Sequence, residues 1–371
     1  MMRSVTRKYR YSLEGLHGFQ NYDNHETVYE WTHSQYEKLA LFIAIHNTHL
    51  GPGLGGIRHV PLLHSSKTAA LEDVLGLSHA MSMKAAFAGI PFGGAKAVLY
   101  GDQHLVNLNR RDIFNWVGEC IDSLDGRYIT AKDMGTTYYD LEFIREKTRH
   151  VRGLRTRTDA CGDFTSAMTA YGVVRAIEAS VRFVYGEALE DGKRVYFVQG
   201  CAGNVGLNVS KMLFEKGCMV LGSDTKDKRA VREAFSAVDV PCNRSFIVDP
   251  DCYEYPCDVF VPCAGGGILN DSVIQKLDSR CFIVCGSANN QLARREDACN
   301  LMARGKLYVP DFVANAGGLI TVAHEDEDED IIRTRVSMIY DRVIDLLRSA
   351  KESGKLLLEC AENEALERLK K

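Results

Sequence analysis

Proline is scarce, 8 in 371 residues, and no Pro/Ser/Gly-rich stretch or internal repeat occurs. A flexible tether is therefore not expected, and any domain boundary has to be read from the pattern of strands and helices. There is no run of about 18 apolar residues, so no membrane-spanning helix is expected. The basic opening, MMRSVTRKYRYSLEG, is not followed by an apolar core, which argues against export. A basic excess is also missing. Lys+Arg 45 against Asp+Glu 49 gives a net charge of -4, which exerts no general pull on phosphate backbones and excludes nucleic acid as an expected partner. The 12 cysteines form no CxxC pair. Their nearest neighbours, Cys252 with Cys257 and Cys281 with Cys285, lack the histidine spacing of a zinc site, so reduced cytoplasmic thiols and no metal are expected.

What remains is an ordinary soluble composition on a chain too long for one core, which implies two domains. The first half alternates strands and helices. LALFIAI (Leu39 to Ile45) reads as a buried strand, GPGLGGIR as a turn-rich segment, 67–83 as a helix and AVLYG as a strand. Residues 111–124 carry apolar side chains at helical spacing, and RYIT is strand-like. A long helical pattern over 165–183 leads to a second series of short apolar strands, RVYFV, MVLGSD, DVFVPC, FIVCGS and LYVP. Continuous apolar runs separated by helices indicate a parallel sheet covered on both faces, hence an α/β protein with a doubly wound nucleotide-binding domain. The expected division is 1–155 for an α/β substrate domain, 156–344 for a Rossmann-like domain, and 345–371 returning to the first, with a cleft between the two. The acidic run HEDEDED reads as a solvated loop or helix start, followed by a helix over 331–349.

Two constellations carry chemistry. In VYFVQGCAGNVGLNVSKMLFEKGCMVLGSD, a strand, a glycine turn, a helix and a second strand ending in an acid come in dinucleotide-binding order. Gly200, Gly203 and Gly206, with Asn204 and Val205 at the helix start, offer backbone N–H groups to a pyrophosphate, and Asp224 stands where a carboxylate accepts ribose hydroxyls, which favours NAD. The turn reads GxxGxxG, one residue longer than the usual form. In MSMKAAFAGIPFGGAKAVLYGD, Lys84 follows an apolar helix and Lys96 sits in a glycine turn before a strand, among apolar neighbours. A desolvated lysine beside another cation loses basicity, which suits a general base near neutral pH, while a solvated surface role is the alternative.

The segments GPGLGGIR, MSMKAAFAG, GGAKAVLYGD, YITAKDMGTT, PCAGGGILND, GSANNQL and YVPDFVANAGGLI resemble, in order, the signatures of leucine, phenylalanine and valine dehydrogenases, relatives of glutamate dehydrogenase. The resemblance, closest in pattern to leucine dehydrogenase, runs from about Leu39 to Val322. It implies NAD-dependent oxidative deamination of an apolar L-amino acid to the 2-oxo acid and ammonia, and the reverse reductive amination. It further implies that Lys84 grips the substrate carboxylate, that Lys96 is the general base, and that Asp133 moves protons to and from the amino group. Asn290 is implied to hold substrate against the nicotinamide. Thr169, Cys263, Ala264, Asn289 and Asn315 are implied to line the cofactor side, and a homo-oligomer built through the first domain is expected.

Glutamate enzymes of this framework carry a lysine in the matching GPxKGG turn, where this chain has Leu54. Leu54, Gly55, Met81, Leu319 and Val322 are the expected apolar wall around the substrate side chain, favouring branched aliphatic residues with aromatic ones as the alternative. Three departures from the family pattern touch proton chemistry and cofactor binding: the longer glycine turn, Lys132 before Asp133, and Asp163-Phe164-Thr165-Ser166 before the long helix. They keep a second class open, a protein of this fold that binds a metabolite or partner without efficient turnover.

Overall fold

The computed structural model describes residues 7–154, 158–159, 162–186, 188–189, 192–239, 245–249 and 253–370, with backbone alone for 158–159, 162–163 and 245–248. The chain divides into two units, Met1–Arg155 with Ala365–Lys371, and Thr156–Glu364. Among the described residues no helix is long and apolar enough to cross a membrane.

The first unit is built on a mixed sheet of β1 (Arg7–Arg10), β2 (Thr27–Thr32), β3 (Ala40–Asn47), β4 (Gly53–Arg58), β5 (Gly93–Tyr100) and β6 (Tyr128–Lys132) in the order β1-β2-β3-β5-β4-β6. Pairings from β1 through β5 are antiparallel, and β4 runs parallel to both β5 and β6. Its helices are α1 (Lys67–Ala88), α2 (Gln103–Leu108), α3 (Arg110–Asp122) and α4 (Tyr138–Arg145). Strand alternation sends side chains to opposite faces. Ala40, Phe42, Ala44 and Val98 pack on α1 through Leu71, Val74 and Leu75. Leu41, Ile43, Ala97 and Leu99 pack on α3 and α4 through Ile113, Trp116 and Leu141. Helix α1 begins at Ser66, whose side chain accepts from the Ala69 N–H, and ends at Gly89 in the left-handed region.

Three expectations are corrected here. GPGLGGIR is strand β4 from Gly53 onward, because its glycines lie between two neighbouring strands and serve close packing instead of turning the chain. Lys96 lies inside β5, which starts at Gly93, and Lys84 lies inside α1, which continues to Ala88. Neither N-terminal strand was expected: β1 is polar and exposed, and the buried apolar residues of β2 are interrupted by Glu30.

The second unit opens with the two-residue strands β7 (Thr158–Asp159) and β8 (Gly162–Asp163), then α5 (Phe164–Tyr185). The strands β9 (Val195–Gln199), β10 (Met219–Ser223), β11 (Ser245–Val248), β12 (Val259–Pro262), β13 (Ile283–Val284) and β14 (Leu307–Tyr308) form one sheet in the order β11-β10-β9-β12-β13-β14, parallel throughout. Counted from β9 this is 3-2-1-4-5-6, the doubly wound order whose chain reversal falls between β9 and β12. The helices are α6 (Asn204–Glu215), α7 (Lys228–Ser236), α8 (Asp271–Lys276), α9 (Asp297–Ala303), α10 (Asp311–Ala314), α11 (Gly317–Ala323), α12 (Glu329–Ser337), α13 (Ile339–Ser353) and α14 (Leu357–Lys370). FIVCGS contributes only two strand residues, and the helix expected over 331–349 is two helices that meet at Met338. The acidic run precedes and starts α12, where Glu327 forms a two-bond pair with Arg335 at 2.6 and 2.8 Å. Cys257, Cys281 and Cys285 are buried free thiols, while Cys252 lies outside the described residues.

Candidate active site

In the first unit, β4, β5 and β6 bring three charged side chains together near the α1 face of the sheet. Lys96 shares that face with Val98, two residues on, and is only 6% exposed. Its Nζ lies 3.3 Å from Asp133 Oδ2, just beyond the end of β6. Arg58, the last residue of β4, donates from Nε to the same oxygen at 2.8 Å. The other arm of Arg58 reaches Asp73 on α1, with Nη1 3.2 and 3.3 Å from its carboxylate oxygens, and His64 Nε2 lies 2.8 Å from Asp73 Oδ2.

Burial by itself raises the Asp133 pKa, but the Lys96 ammonium and the Arg58 guanidinium outweigh it and hold the carboxyl below its usual value. Asp133 therefore rests as an anion in contact with two cations. Burial likewise disfavours charge on Arg58, and Asp133 and Asp73 reverse that, so its pKa is raised. Arg58 was missed in the sequence reading. It closes the glycine-rich segment read as a turn, so nothing in the sequence marked it as the end of a strand. Lys132 is exposed, with Nζ 4.2 Å from the centre of the Tyr138 ring, so the cation before Asp133 engages an aromatic face.

The other first-unit residues surround β4 and α1. Leu54 is 1% exposed and stands opposite Gly94 of β5 and Ile129 of β6. Gly55 has a steric duty. A Cβ there would lie 1.7 Å from the Ala95 carbonyl oxygen and 3.4 Å from Met81 Cγ. Met81 and Lys84 are both half-buried on α1 and sit one turn apart, hence on neighbouring positions of one helix face.

In the second unit, the glycine turn closes β9 onto α6. Gly200 has φ +75°, and a Cβ there would sit 2.9 Å from the Ala264 side chain beyond β12, across the point of chain reversal. A Cβ on Gly206 would lie 2.1 Å from the Gly200 carbonyl oxygen, so only glycine lets α6 approach the turn this closely. Gly203 and Asn204 are exposed at the start of α6, with Val205 half-buried behind them. The longer turn is braced by Asp224, whose Oδ2 accepts from the Ala202 N–H at 3.0 Å and whose Oδ1 accepts from the Lys226 N–H at 3.0 Å. Lys226 Nζ donates to the Ala202 carbonyl at 2.9 Å. Each Asp224 oxygen keeps a further lone pair with which to accept.

Cys263 follows β12, its N–H donating to the Gln199 carbonyl at 2.9 Å, and burial pushes its thiol pKa up. Asn289 and Asn290 are exposed in the loop before α9. Asn290 has φ +51°, and its N–H donates to Asp311. Asn315 is buried. Its Nδ2 donates to the Ser287 carbonyl at 3.0 Å and to Asn289 Oδ1 at 2.8 Å, while its Oδ1 has no hydrogen-bond partner among the described residues. Gln199 Oε1 and Ser223 Oγ, at the ends of β9 and β10, are buried in the same condition. Polar atoms left unpaired at the carboxyl ends of parallel strands, beside a glycine cradle, fit a bound dinucleotide.

Thr169 on α5 donates to the Thr165 carbonyl at 2.9 Å, and Gly318 of α11 packs against its hydroxyl. Leu319 and Val322 are half-buried one turn apart on α11. The Asp163 side chain lies outside the described residues. The expected site residues thus fall into two sets, Leu54, Gly55, Met81, Lys84, Lys96 and Asp133 in the first unit and the remainder in the second.

Known proteins resemble the chain in both units. Residues 25–150 match the model of the Glu/Leu/Phe/Val dehydrogenase dimerisation domain, and 223–334 match the Glutamate/Leucine/Phenylalanine/Valine dehydrogenase model. A leucine dehydrogenase of Thermoactinomyces intermedius is 38% identical over 324 residues, spanning 85% of this chain and 83% of that protein. A phenylalanine dehydrogenase of Caldalkalibacillus thermarum is 36% identical over 355 residues, spanning 95% and 93% respectively. The crystal structure of L-tryptophan dehydrogenase from Nostoc punctiforme superposes with a TM-score of 0.78 at 34% identity, covering 94% of this chain and 96% of that one.

Proposed function

Because the chain belongs to the Glu/Leu/Phe/Val dehydrogenase family of amino-acid dehydrogenases, we propose that it carries out NAD-dependent oxidative deamination of an apolar L-amino acid, and the reverse reductive amination. The observation that carries this reading is the contact between buried Lys96 on β5 and the Asp133 carboxylate just beyond β6, a base beside a proton-relaying group. Lys84 pairs with the substrate carboxylate and fixes one end of the amino acid. Bound NAD supplies the hydride acceptor for the substrate Cα, leaving an imine. Lys96 takes a proton from the attacking water and returns it as the carbinolamine collapses to ammonia and the 2-oxo acid. Asp133 holds the protonated lysine in place and passes protons to and from the amino group. Arg58 aims Asp133 and favours its ionised form, to which the carboxyl returns after each proton transfer.

The second unit offers the glycine turn and Asp224 to the dinucleotide, with Asn315 Oδ1 as an unpaired acceptor. A carboxylate at the ribose favours NAD, since it would repel a 2′-phosphate. Asn290 and the half-buried pair Leu319 and Val322 are the residues of this unit proposed to meet the substrate. In the first unit, buried Leu54 presents no charge, so a glutamate side chain would lose its hydration without gaining a partner. The relatives above are named for leucine, phenylalanine and tryptophan, all with apolar side chains. Lys132 engages Tyr138, and Asp133 remains with Lys96 and Arg58, which favours turnover over binding alone. A cytoplasmic homo-oligomer assembled through the first unit completes the reading.

The test is a panel of amino acids with NAD and with NADP, followed by the absorbance of the reduced nicotinamide. Leucine should lead alanine in kcat/KM by roughly two orders of magnitude, from about 0.8 kcal/mol per buried methylene. Glutamate as the best substrate would overturn the assignment of Leu54, and binding of NAD without turnover of any amino acid would leave the binding-only reading in its place.

A further inference from the structure

We infer that Asp23, His46 and His79, in the first unit, form a binding site for a divalent transition-metal ion of the zinc class, a site that takes no part in the proposed reaction. Among the described residues these three side chains bring one ligand atom each to within 4.8 Å of one another. Asp23 Oδ2 lies 3.6 Å from His46 Nε2 and 3.4 Å from His79 Nε2. Bonds of about 2.0–2.1 Å to a tetrahedral ion set donors roughly 3.3 Å apart, which the two Asp23 distances match to a few tenths of an ångström, while the two imidazoles lie within 4.8 Å of each other. The donors come from three separate elements: the loop before β2, strand β3 and helix α1.

Surrounding hydrogen bonds already orient His46 and the Asp23 loop. His46 Nδ1 lies 2.8 Å from Ser82 Oγ on α1, which leaves Nε2 facing Asp23. His25, stacked edge-on to His46 with ring centres 4.9 Å apart, is committed at both nitrogens. Its Nδ1 accepts from the Asp23 N–H at 3.2 Å, and its Nε2 faces the Leu75 carbonyl at 3.1 Å and Ser78 Oγ at 3.0 Å. It therefore braces the carboxylate ligand without competing for the ion. Upstream, Asn21 anchors the loop to Glu72 of α1 through its backbone N–H at 2.7 Å and its side chain at 3.2 Å. Such outer partners characterise a ligand set held ready for a metal.

The cluster is buried on one side and open on the other, with the His46, His79 and Asp23 side chains 8%, 37% and 52% exposed. An ion can enter and retain a water ligand. Two imidazoles with a single carboxylate suit zinc, cobalt or nickel and are a poor set for calcium or magnesium, which require more oxygen ligands. The bound ion would tie the Asp23 loop and β3 to α1, the helix that also carries Lys84.

The test uses the full-length protein stripped with a chelator, then titrated with Co²⁺ by visible absorption and with Zn²⁺ by calorimetry. One ion per chain is expected, together with a zinc-dependent rise in the thermal midpoint, as for any ligand that binds only the folded state. Asp23→Asn changes an exposed side chain and His79→Ala a half-buried one, and circular dichroism checks that they fold. Each should weaken binding by about tenfold or more and abolish the thermal shift. Cys299→Ser, which removes an exposed thiol, should change neither. The inference fails if the unsubstituted protein takes up no ion, if both ligand variants bind as it does, or if Cys299→Ser removes the uptake. None of these readouts depends on amino-acid turnover, so their failure leaves the proposed dehydrogenase function untouched.

Discussion

Asp133 is the residue on which most of the local electrostatics converges. It is 17% exposed at the side chain and receives Lys96 and Arg58 on one oxygen. Its pKa is lowered in the folded state, so its stabilising contribution is complete above the ordinary carboxylate pKa near 3.9 and is lost as pH falls through the depressed native value. Asp133→Asn should destabilise the protein by about 3–5 kcal/mol at neutral pH, because two buried cations lose their common partner. Denaturant melts at pH 7 and near pH 3 should show that gap narrowing in acid. An unchanged gap would mean that Asp133 contributes through packing. Lys96→Ala should collapse kcat, whereas Lys84→Ala should raise the amino-acid KM as well as lower kcat. Equal, mild effects of the two would place both lysines outside the chemistry. Arg58→Lys cannot serve Asp133 and Asp73 with one planar fork, and a loss in kcat of about tenfold or more with little change in KM is expected.

At the scale of elements, β4 and the turn after β9 each use glycine to bring backbones together. Gly55→Ala would drive a methyl into the Ala95 carbonyl, so a cost of about 1–3 kcal/mol or more is expected in urea unfolding. A change of substrate preference in such a variant would therefore report a shifted strand as well as an altered pocket. Asp224 joins the end of β10 to the Ala202 N–H in the glycine turn, which explains how a turn one residue longer is held. Asp224→Ala should both raise the KM for NAD and narrow its preference over NADP in initial-rate assays. Retention of the full preference would remove Asp224 from the ribose role. The start of α1 was legible, since the helix expected from residue 67 begins there, behind the Ser66 cap. Strand β4 was not, because three glycines in six residues read as a turn unless the flanking strands are known.

On the scale of the whole molecule, the first unit is discontinuous in sequence, closed by residues 365–371 at the far end of the chain. Arg368 donates to the Ala86 and Phe87 carbonyls, both at 3.0 Å, at the carboxyl end of α1, and Ala365 and Leu369 are buried. Truncation after Glu364 should lower stability by more than about 2 kcal/mol, through the lost apolar burial and the unpaired carbonyls, and thermal melts should fall by several degrees. A truncated chain that melts unchanged would show that the terminal turns of α14 are dispensable.

The sequence alone determined the α/β class, the parallel nucleotide-binding unit and the family, because these rest on local signals: apolar period, glycine spacing and the short segments around Lys84, Lys96, Asp133 and Gly200. It placed Lys96 and Asp133 in separate motifs without showing that they touch. Only the tertiary structure decided that Arg58 bridges Asp133 to Asp73, that Lys132 turns to Tyr138, and that Asp23, His46 and His79 meet. The reason is physical. A hydrogen bond or ion pair is decided by side-chain direction and by which strands become neighbours, and in this sheet β5 lies between β3 and β4, an order that no spacing along the chain records.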